Sequence, residues 1–136
     1  MDFMRSISIA ASGLKAQSGR MRIISENIAN ADSTANTPGG APYQRKVPSF
    51  RTAYDDALGA QVVELGRIER DTSAFQSKYE PGHPAANAAG YVLTPNVDSL
   101  VEQMDLREAQ RSYEANLGVI GATRRMVAKT LEILRA

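Results

Sequence analysis

A chain of 136 residues has room for one modest domain, and a 43% hydrophobic share excludes disorder by composition, although only 6% is aromatic and tryptophan is absent. Sixteen basic residues against fifteen acidic ones leave a net charge of +1, too balanced for a dedicated nucleic-acid binder. The lack of cysteine excludes disulfide scaffolds, thiolate metal sites and cysteine nucleophiles.

The first segment, residues 3–30, has helical periodicity. Ile7, Ala11, Leu14, Ser18, Met21, Ser25 and Ile28 step alternately by four and three, a heptad seam with two serines in it. Phe3, Ala10, Gln17 and Ile24 form a second line beside it. Gly13 and Gly19 each weaken this helix by roughly 1 kcal/mol relative to alanine, so it is not expected to stand alone. The segment is no secretory signal: Asp2 spoils the basic leader, and serines and glycines interrupt the apolar residues. No apolar run approaches the ~20 residues of a membrane span, so membrane insertion is not expected.

All six prolines fall between Pro38 and Pro95, in a region of different character. "TPGGAP" and "EPGHPAANAAG" are turn clusters. Alternating residues predict short strands at 43–48, 63–65, 75–79 and 91–94, with Gly66 breaking the phase as a bulge. The last segment, 98–136, is again helical. Leu106, Gln110, Tyr113, Leu117, Ile120, Arg124, Val127, Leu131 and Leu134 form a heptad line. Ser99 and Glu102 fit a capping box, and Arg124, Arg125, Lys129 and Arg135 oppose the helix dipole near its end.

The expected fold is α+β. Long N- and C-terminal helices, residues 1–30 and 97–136, pair as a coiled-coil-like core around a β-rich insert at 31–96. Neither helix buries enough apolar surface to offset the ordering of its own backbone, so the two should pack as a pair and need further surface from other chains.

Specific residues sharpen this expectation. "SGLKAQSGRMRIISENIANADST" carries Ser12, Gly13, Leu14, Ala16, Gln17, Asn27, Ile28, Ala29 and Asn30 in the order of the N-terminal signature of the flagellar axial proteins, the bacterial rod and hook family. "GGAPYQRKVPSF", "YEPGHPAANAAGYVLTPNV" and "AQRSYEANLGVI" resemble its proximal-rod FlgC branch in particular. The likeness spans nearly the whole chain. It departs where Gln44 precedes Arg45 and where Ala85, Ala86 and Asn87 follow the His-Pro pair.

The resemblance implies a structural role. Such proteins leave the cytosol unfolded through the flagellar type III export apparatus, without a cleaved signal peptide. Across the periplasm they join copies of themselves and other rod proteins in a hollow helical shaft that transmits torque. It implies no cofactor, no metal and no enzymatic activity. Its assembly residues should be Ile7, Ala11, Leu14, Met21, Ile24, Asn27, Ile28 and Asn30 on the first helix. On the second they should be Leu106, Tyr113, Asn116, Leu117, Ile120, Val127, Leu131 and Leu134.

Asn30 falls where the first helix stops, and asparagine tolerates the left-handed conformation that ends helices. Asn27 lies one turn earlier, where a buried amide would set the stagger between subunits, and Asn116, on the other helix or on a neighbouring subunit, is its candidate partner. The lone histidine, His83, has no second histidine or cysteine with which to hold a transition metal. Nothing resembles a nucleophile with its base or a phosphate loop. The competing readings are a helical adaptor that dimerises through its ends and a compact α+β binding domain.

Overall fold

The computed structural model describes residues 2–135; Met1 and Ala136, the outermost residues of the two predicted helical segments, lie outside them. Helix α1 is Phe3–Ala29 and helix α2 is Ser99–Arg135. Six short strands lie between them: β1 (Lys46–Val47), β2 (Phe50–Asp55), β3 (Ala60–Leu65), β4 (Glu69–Arg70), β5 (Gln76–Tyr79) and β6 (Tyr91–Thr94). They pair antiparallel as β1–β4, β2–β3 and β5–β6. The architecture is therefore α+β, with two long terminal helices packed together and a small β insert between them.

Each helix starts on an aspartate. Asp2 accepts the Arg5 N–H at 3.0 Å, and Asp98 accepts the N–H groups of Leu100 and Val101 at 2.9 and 3.3 Å. The predicted Ser99–Glu102 box does not form. Asp98 already supplies the cap, and Glu102 turns into the interior. Asn30 closes α1 in a right-handed conformation, because no described non-glycine residue has a positive φ. Its Nδ2 donates to the Glu26 carbonyl at 2.8 Å, and its Oδ1 accepts from Ser33 at 3.1 Å.

The insert is richer in strands than its alternation suggests. Strands β2 and β4 were not expected, and of the predicted strand at 43–48 only Lys46–Val47 pairs, with β4. Strands β2 and β3 keep register over six residues, from Phe50↔Leu65 to Asp55↔Ala60. No bulge interrupts them: the Gly66 N–H continues the ladder to the Ser49 carbonyl at 2.7 Å. In their turn, Asp55 accepts the N–H groups of Ala57 and Leu58, and Gly59 takes a φ of 58°.

The chain forms two compact units. The first comprises Met1–Met21, Ser49–Arg67 and Arg107–Ala136. Its interior is thin: Ala10, Ala16, Val62, Ala109 and Thr123 are its buried side chains. The β2–β3 hairpin is fastened to α1 by Arg5, which donates to the carbonyls of Leu58 and Gly59, and by the Val63 N–H, which reaches Ser12 Oγ at 3.2 Å. Small residues allow close approach. A Cβ on Gly19 would stand 2.9 Å from the Leu65 side chain, and one on Gly13 would stand 2.8 Å from the Asn116 amide of α2.

The second unit comprises Arg22–Pro48 and Ile68–Leu106. It buries Ile23, Ile24, Val92, Pro95 and Val97 around a polar centre formed by Asn27 and Glu102. His83 is used structurally. Its Nδ1 accepts the Ala85 N–H at 3.0 Å, which leaves Nε2 to carry the proton toward Thr34 Oγ1, 3.2 Å away.

Candidate assembly surface

The two terminal helices carry the predicted assembly residues, and burial sorts these into faces. On α2 the side turned inward is Glu102, Leu106, Ala109, Tyr113, Asn116, Ile120, Thr123 and Val127, all buried or half-buried. These positions alternate by four and three. The predicted line shares the column Leu106, Tyr113, Ile120 and Val127. Its other column, Gln110, Leu117, Arg124 and Leu131, sits one residue further round and is exposed. Leu117, Leu131 and Leu134 are 52%, 55% and 77% exposed. The inward places beside Gln110, Leu117 and Arg124 are taken by Ala109, Asn116 and Thr123, which are too small or too polar to register as a seam, and Leu134, seven residues past Val127 on the shared column, is exposed at the helix end.

Helix α1 shows the same offset. Ile7, Leu14, Met21 and Ile28 are half-buried, while Ala11 is exposed together with Ser18 and Ser25. The more deeply buried line is the neighbouring one, through Ala10, Gln17 and Ile24. Asn30 is half-buried at the helix end. Ile24 and Asn27, at 2% and 0% exposed, are enclosed by the chain itself.

Asn27 is the centre of the second unit's polar network. Its Nδ2 donates to the Lys46 carbonyl at 2.8 Å and to Glu102 Oε2 at 3.1 Å. Its Oδ1 accepts from the Tyr43 hydroxyl and from the Lys46 N–H, both at 2.9 Å. All four hydrogen-bonding positions of the amide are thus filled. Pairing with Asn116 of the same chain does not occur, because all four positions of the Asn27 amide are occupied within its own unit and Asn116 lies over Gly13. Within the chain the amide ties the end of α1 to the 43–46 segment and to the first turns of α2.

Arg45 extends the network. Its Nε donates to Glu102 Oε1, and its other nitrogens face Asp71 at 3.4 Å and Asp105 at 3.8 Å. Asn96 accepts the Arg45 N–H at 2.9 Å and donates to the Asp71 carbonyl at 3.1 Å. The Ser73 N–H, followed by the Ser73 hydroxyl and Arg45, holds the Asp71 carboxyl below its usual range. Lys46, which bonds Glu26 at 2.8 Å, does the same for that carboxyl. Burial pushes the Tyr43 hydroxyl up. The sequence hinted at this centre in one place only: Glu102 interrupts the start of an apolar helix where a small or apolar residue would fit the periodicity.

Among the described residues no three metal-ligating side chains cluster, and no helix is long and apolar enough to cross a membrane. The helices bury small and polar side chains on one side and expose leucine and methionine on the other.

Comparison with known proteins agrees in both terminal regions. Residues 7–39 match the family described as flagella basal body rod protein, and residues 88–133 match the flagellar basal body rod FlgEFG protein C-terminal family. The flagellar basal-body rod protein FlgC of Agrobacterium fabrum is 50% identical over 128 residues, which cover 94% of this chain and 92% of that one. FlgC of Bacillus subtilis is 40% identical over 148 residues, covering 98% and 99%. FlgC of Salmonella typhimurium is 36% identical over 133 residues, covering 98% of each. With matches of this extent, reaching from the asparagine signature of α1 to the last turns of α2, the chain belongs to the FlgC family of flagellar basal-body rod proteins.

Proposed function

We infer that this chain is a structural subunit of the proximal flagellar rod, built through its terminal helices into a hollow helical shaft that transmits torque. One observation carries the reading. In a chain whose relatives are rod proteins, α2 leaves Leu117, Leu131 and Leu134 more than half exposed, on a helix that needs covering.

The terminal segments 1–30 and 97–136 act as the axial elements, and 31–96 is the outward insert. The contacts to neighbouring subunits run through Ile7, Ala11, Leu14, Met21, Ile28 and Asn30 on α1. On α2 they run through Leu106, Tyr113, Asn116, Leu117, Ile120, Val127, Leu131 and Leu134. Ile24 and Asn27 are enclosed within their own unit and reach no neighbour. The neighbours are other rod proteins and further copies of this chain. The work is mechanical and calls for no catalytic group or cofactor. The chain reaches the periplasmic space unfolded through the type III export apparatus. A thin interior in the unit that carries both helix ends suits a protein that unfolds for passage and completes its burial on assembly.

The test is genetic and structural together. Deleting the chain should stop filament growth and motility, and the wild-type chain should restore both. Leu117→Asp should fold, because the side chain is half exposed, yet fail to enter basal bodies. Motile cells that build rods from Leu117→Asp would show that this face is not an assembly surface.

A further inference from the structure

The groove between α1, the β2–β3 hairpin and α2 in the first unit, about 430 Å³, belongs to the proposed assembly surface. A smaller, more enclosed cavity of about 240 Å³ lies wholly in the second unit and is lined by no residue of either terminal helix. Pro42, Tyr43 and Phe75 give it apolar walls, and Lys46 and Arg70 give it charge.

The two cations stand where a strand pair tolerates them poorly. Strands β1 and β4 pair in the register Lys46↔Arg70, so the side chains are directly opposite and share one face. Like charges so placed weaken the pairing, and this pairing is only two residues long. Lys46 has a partner, because its ammonium bonds Glu26 at 2.8 Å. That carboxylate holds Lys46 in its charged form, and Arg70 acts in the opposite sense. Arg70 itself forms no ion pair among the described residues. Its neighbour Glu69 stands opposite Val47, and strand alternation turns it to the other face. The Tyr43 hydroxyl and the Gln44 amide are committed to Asn27 and to the Asp71 carbonyl. Two cations against one carboxylate leave a surplus of one positive charge at the cavity.

We propose that this cavity binds an acidic side chain presented by a peptide segment of a partner protein, with Arg70 and Lys46 donating to its carboxylate and Tyr43 and Phe75 packing on its methylene groups. The surplus of one charge matches one carboxylate, whereas a phosphate group brings up to about two negative charges. The volume falls short of the ~300–1,000 Å³ that encloses a whole small molecule, and it suits a single side chain. The arginine fork meets a carboxylate through parallel hydrogen bonds, and Lys46 has donors beyond the one Glu26 takes. A bound carboxylate turns the Lys46–Arg70 repulsion into a bridge between β1 and β4. Because no residue of the cavity is on a terminal helix, the inference goes beyond the rod-subunit reading and does not depend on it.

The test is a titration of the isotope-labelled full-length chain, followed residue by residue by nuclear magnetic resonance at fixed pH and ionic strength. The probe is the blocked tripeptide acetyl-Ala-Glu-Ala-amide, and the control is its glutamine counterpart. Amide shifts at 41–46, 70 and 75 should saturate in the millimolar range with the glutamate peptide and stay at background with the control. Arg70→Gln should weaken binding by about tenfold or more, the usual consequence of losing a hydrogen bond to a charged group. The same variant without peptide should melt no lower than wild type, because the repulsion has gone. Absence of saturating shifts, or equal shifts with the glutamine peptide, overturns the proposal. Acetate or inorganic phosphate binding as tightly as the tripeptide assigns a free-anion site and overturns the peptide as occupant. An Arg70→Gln chain that binds as wild type does, or that melts lower without peptide, makes Arg70 a structural residue and overturns the site.

Discussion

The two units of this chain are stabilised in opposite ways. The second is organised around polar groups: a fully buried asparagine and glutamate, an arginine bonded to that glutamate, and loop amides that use every remaining valence. The first has a few small buried side chains, four glycines at close approaches and a groove beside an orphan carbonyl oxygen. Hydrogen bonds in a buried network are directional, so the second unit specifies one geometry from within. Small apolar contacts are permissive, so the first unit takes its final geometry from whatever packs against it. On the function proposed above, export in an unfolded state and completion by neighbours would use both: one unit specified from within and one left open to what packs against it.

The largest effect should come from breaking the polar centre. Glu102→Ala removes the buried acceptor shared by Arg45 Nε and Asn27 Nδ2, leaving the part-buried Arg45 only its longer contacts to Asp71 and Asp105 and Asn27 Nδ2 only the Lys46 carbonyl. Loss of one member of a buried pair typically costs ~3–5 kcal/mol. That is a large part of the ~5–15 kcal/mol by which domains are stable. In a urea titration followed by circular dichroism, the midpoint should fall by more than 1 M at ordinary slopes of about 1–3 kcal/mol/M. A drop under about 1 kcal/mol would mean that water reaches Arg45 and that the second unit is not centred where its burial places it.

This centre was also the least legible part of the sequence. Arg45 and Glu102 are 57 positions apart, and no periodicity links a loop arginine to a helix-start glutamate. The helices themselves were legible, because four-three spacing depends only on residues close in the chain. One column of each heptad line coincides with buried or half-buried positions, through Leu106 to Val127 on α2 and Ile7 to Ile28 on α1. The second column lies one residue off the more buried positions in both helices, and on α2 the cause is that hydrophobicity points to the largest side chains. Here the largest side chains, Leu117 and Leu131, face out, while Ala109, Asn116 and Thr123 face in. In an assembling subunit, size marks the surface kept for a partner as readily as the internal core. Strand β2 escaped notice although Phe50, Thr52 and Tyr54 alternate with Arg51, Ala53 and Asp55, because neither side of the strand is deeply buried.

A helix cap gives a smaller effect in the same unit. Asp98→Ala removes the acceptor of two N–H groups at the start of α2 and should lower stability by ~1 kcal/mol, read as a melting-temperature decrease of several degrees. Ser99→Ala should change almost nothing, which separates the observed cap from the one its sequence suggests.

Proton linkage gives a smaller effect still. The carboxyls of Asp71, Glu26 and Glu80 lie below their ordinary values of 3.8, 4.5 and 4.5: the first mainly through the Ser73 N–H, the others through Lys46 and Lys78. A depressed carboxylate contributes stability above the unfolded value, and that contribution is lost as pH falls through the folded one. Lys46 and Lys78 are raised above 10.5 by the same pairs, so their contribution is complete below that value and disappears as pH climbs through their folded values. Stability should be flat between about pH 5 and 10, with an acid limb and an alkaline limb. Added salt should flatten the part due to the exposed Glu26–Lys46 and Glu80–Lys78 pairs. It should leave the Asp71 part, which rests on hydrogen bonds to Ser73. An acid limb that salt abolishes entirely would assign it to surface pairs alone.

The smallest expected change sharpens the contrast from the side of the first unit. Gly13→Ala places a methyl group where Asn116 Nδ2 stands 2.8 Å away and its Cγ 3.1 Å. In a closed core that contact would be prohibitive. Here the atom in the way is the far end of a short polar side chain, and Asn116 lines the groove, so the amide has room to swing aside. Alanine also gains up to ~1 kcal/mol of helix propensity over glycine. The two terms oppose, and the isolated chain should change by less than about 1 kcal/mol, in the stabilising direction. Assembly should respond differently, since the displaced amide then reshapes the groove on the helix pair that carries the proposed assembly surface. A stable Gly13→Ala chain that assembles poorly would locate the glycine's purpose in the contact between copies. A chain destabilised by 2 kcal/mol or more would locate it inside the monomer, and the first unit would then be as tightly specified as the second.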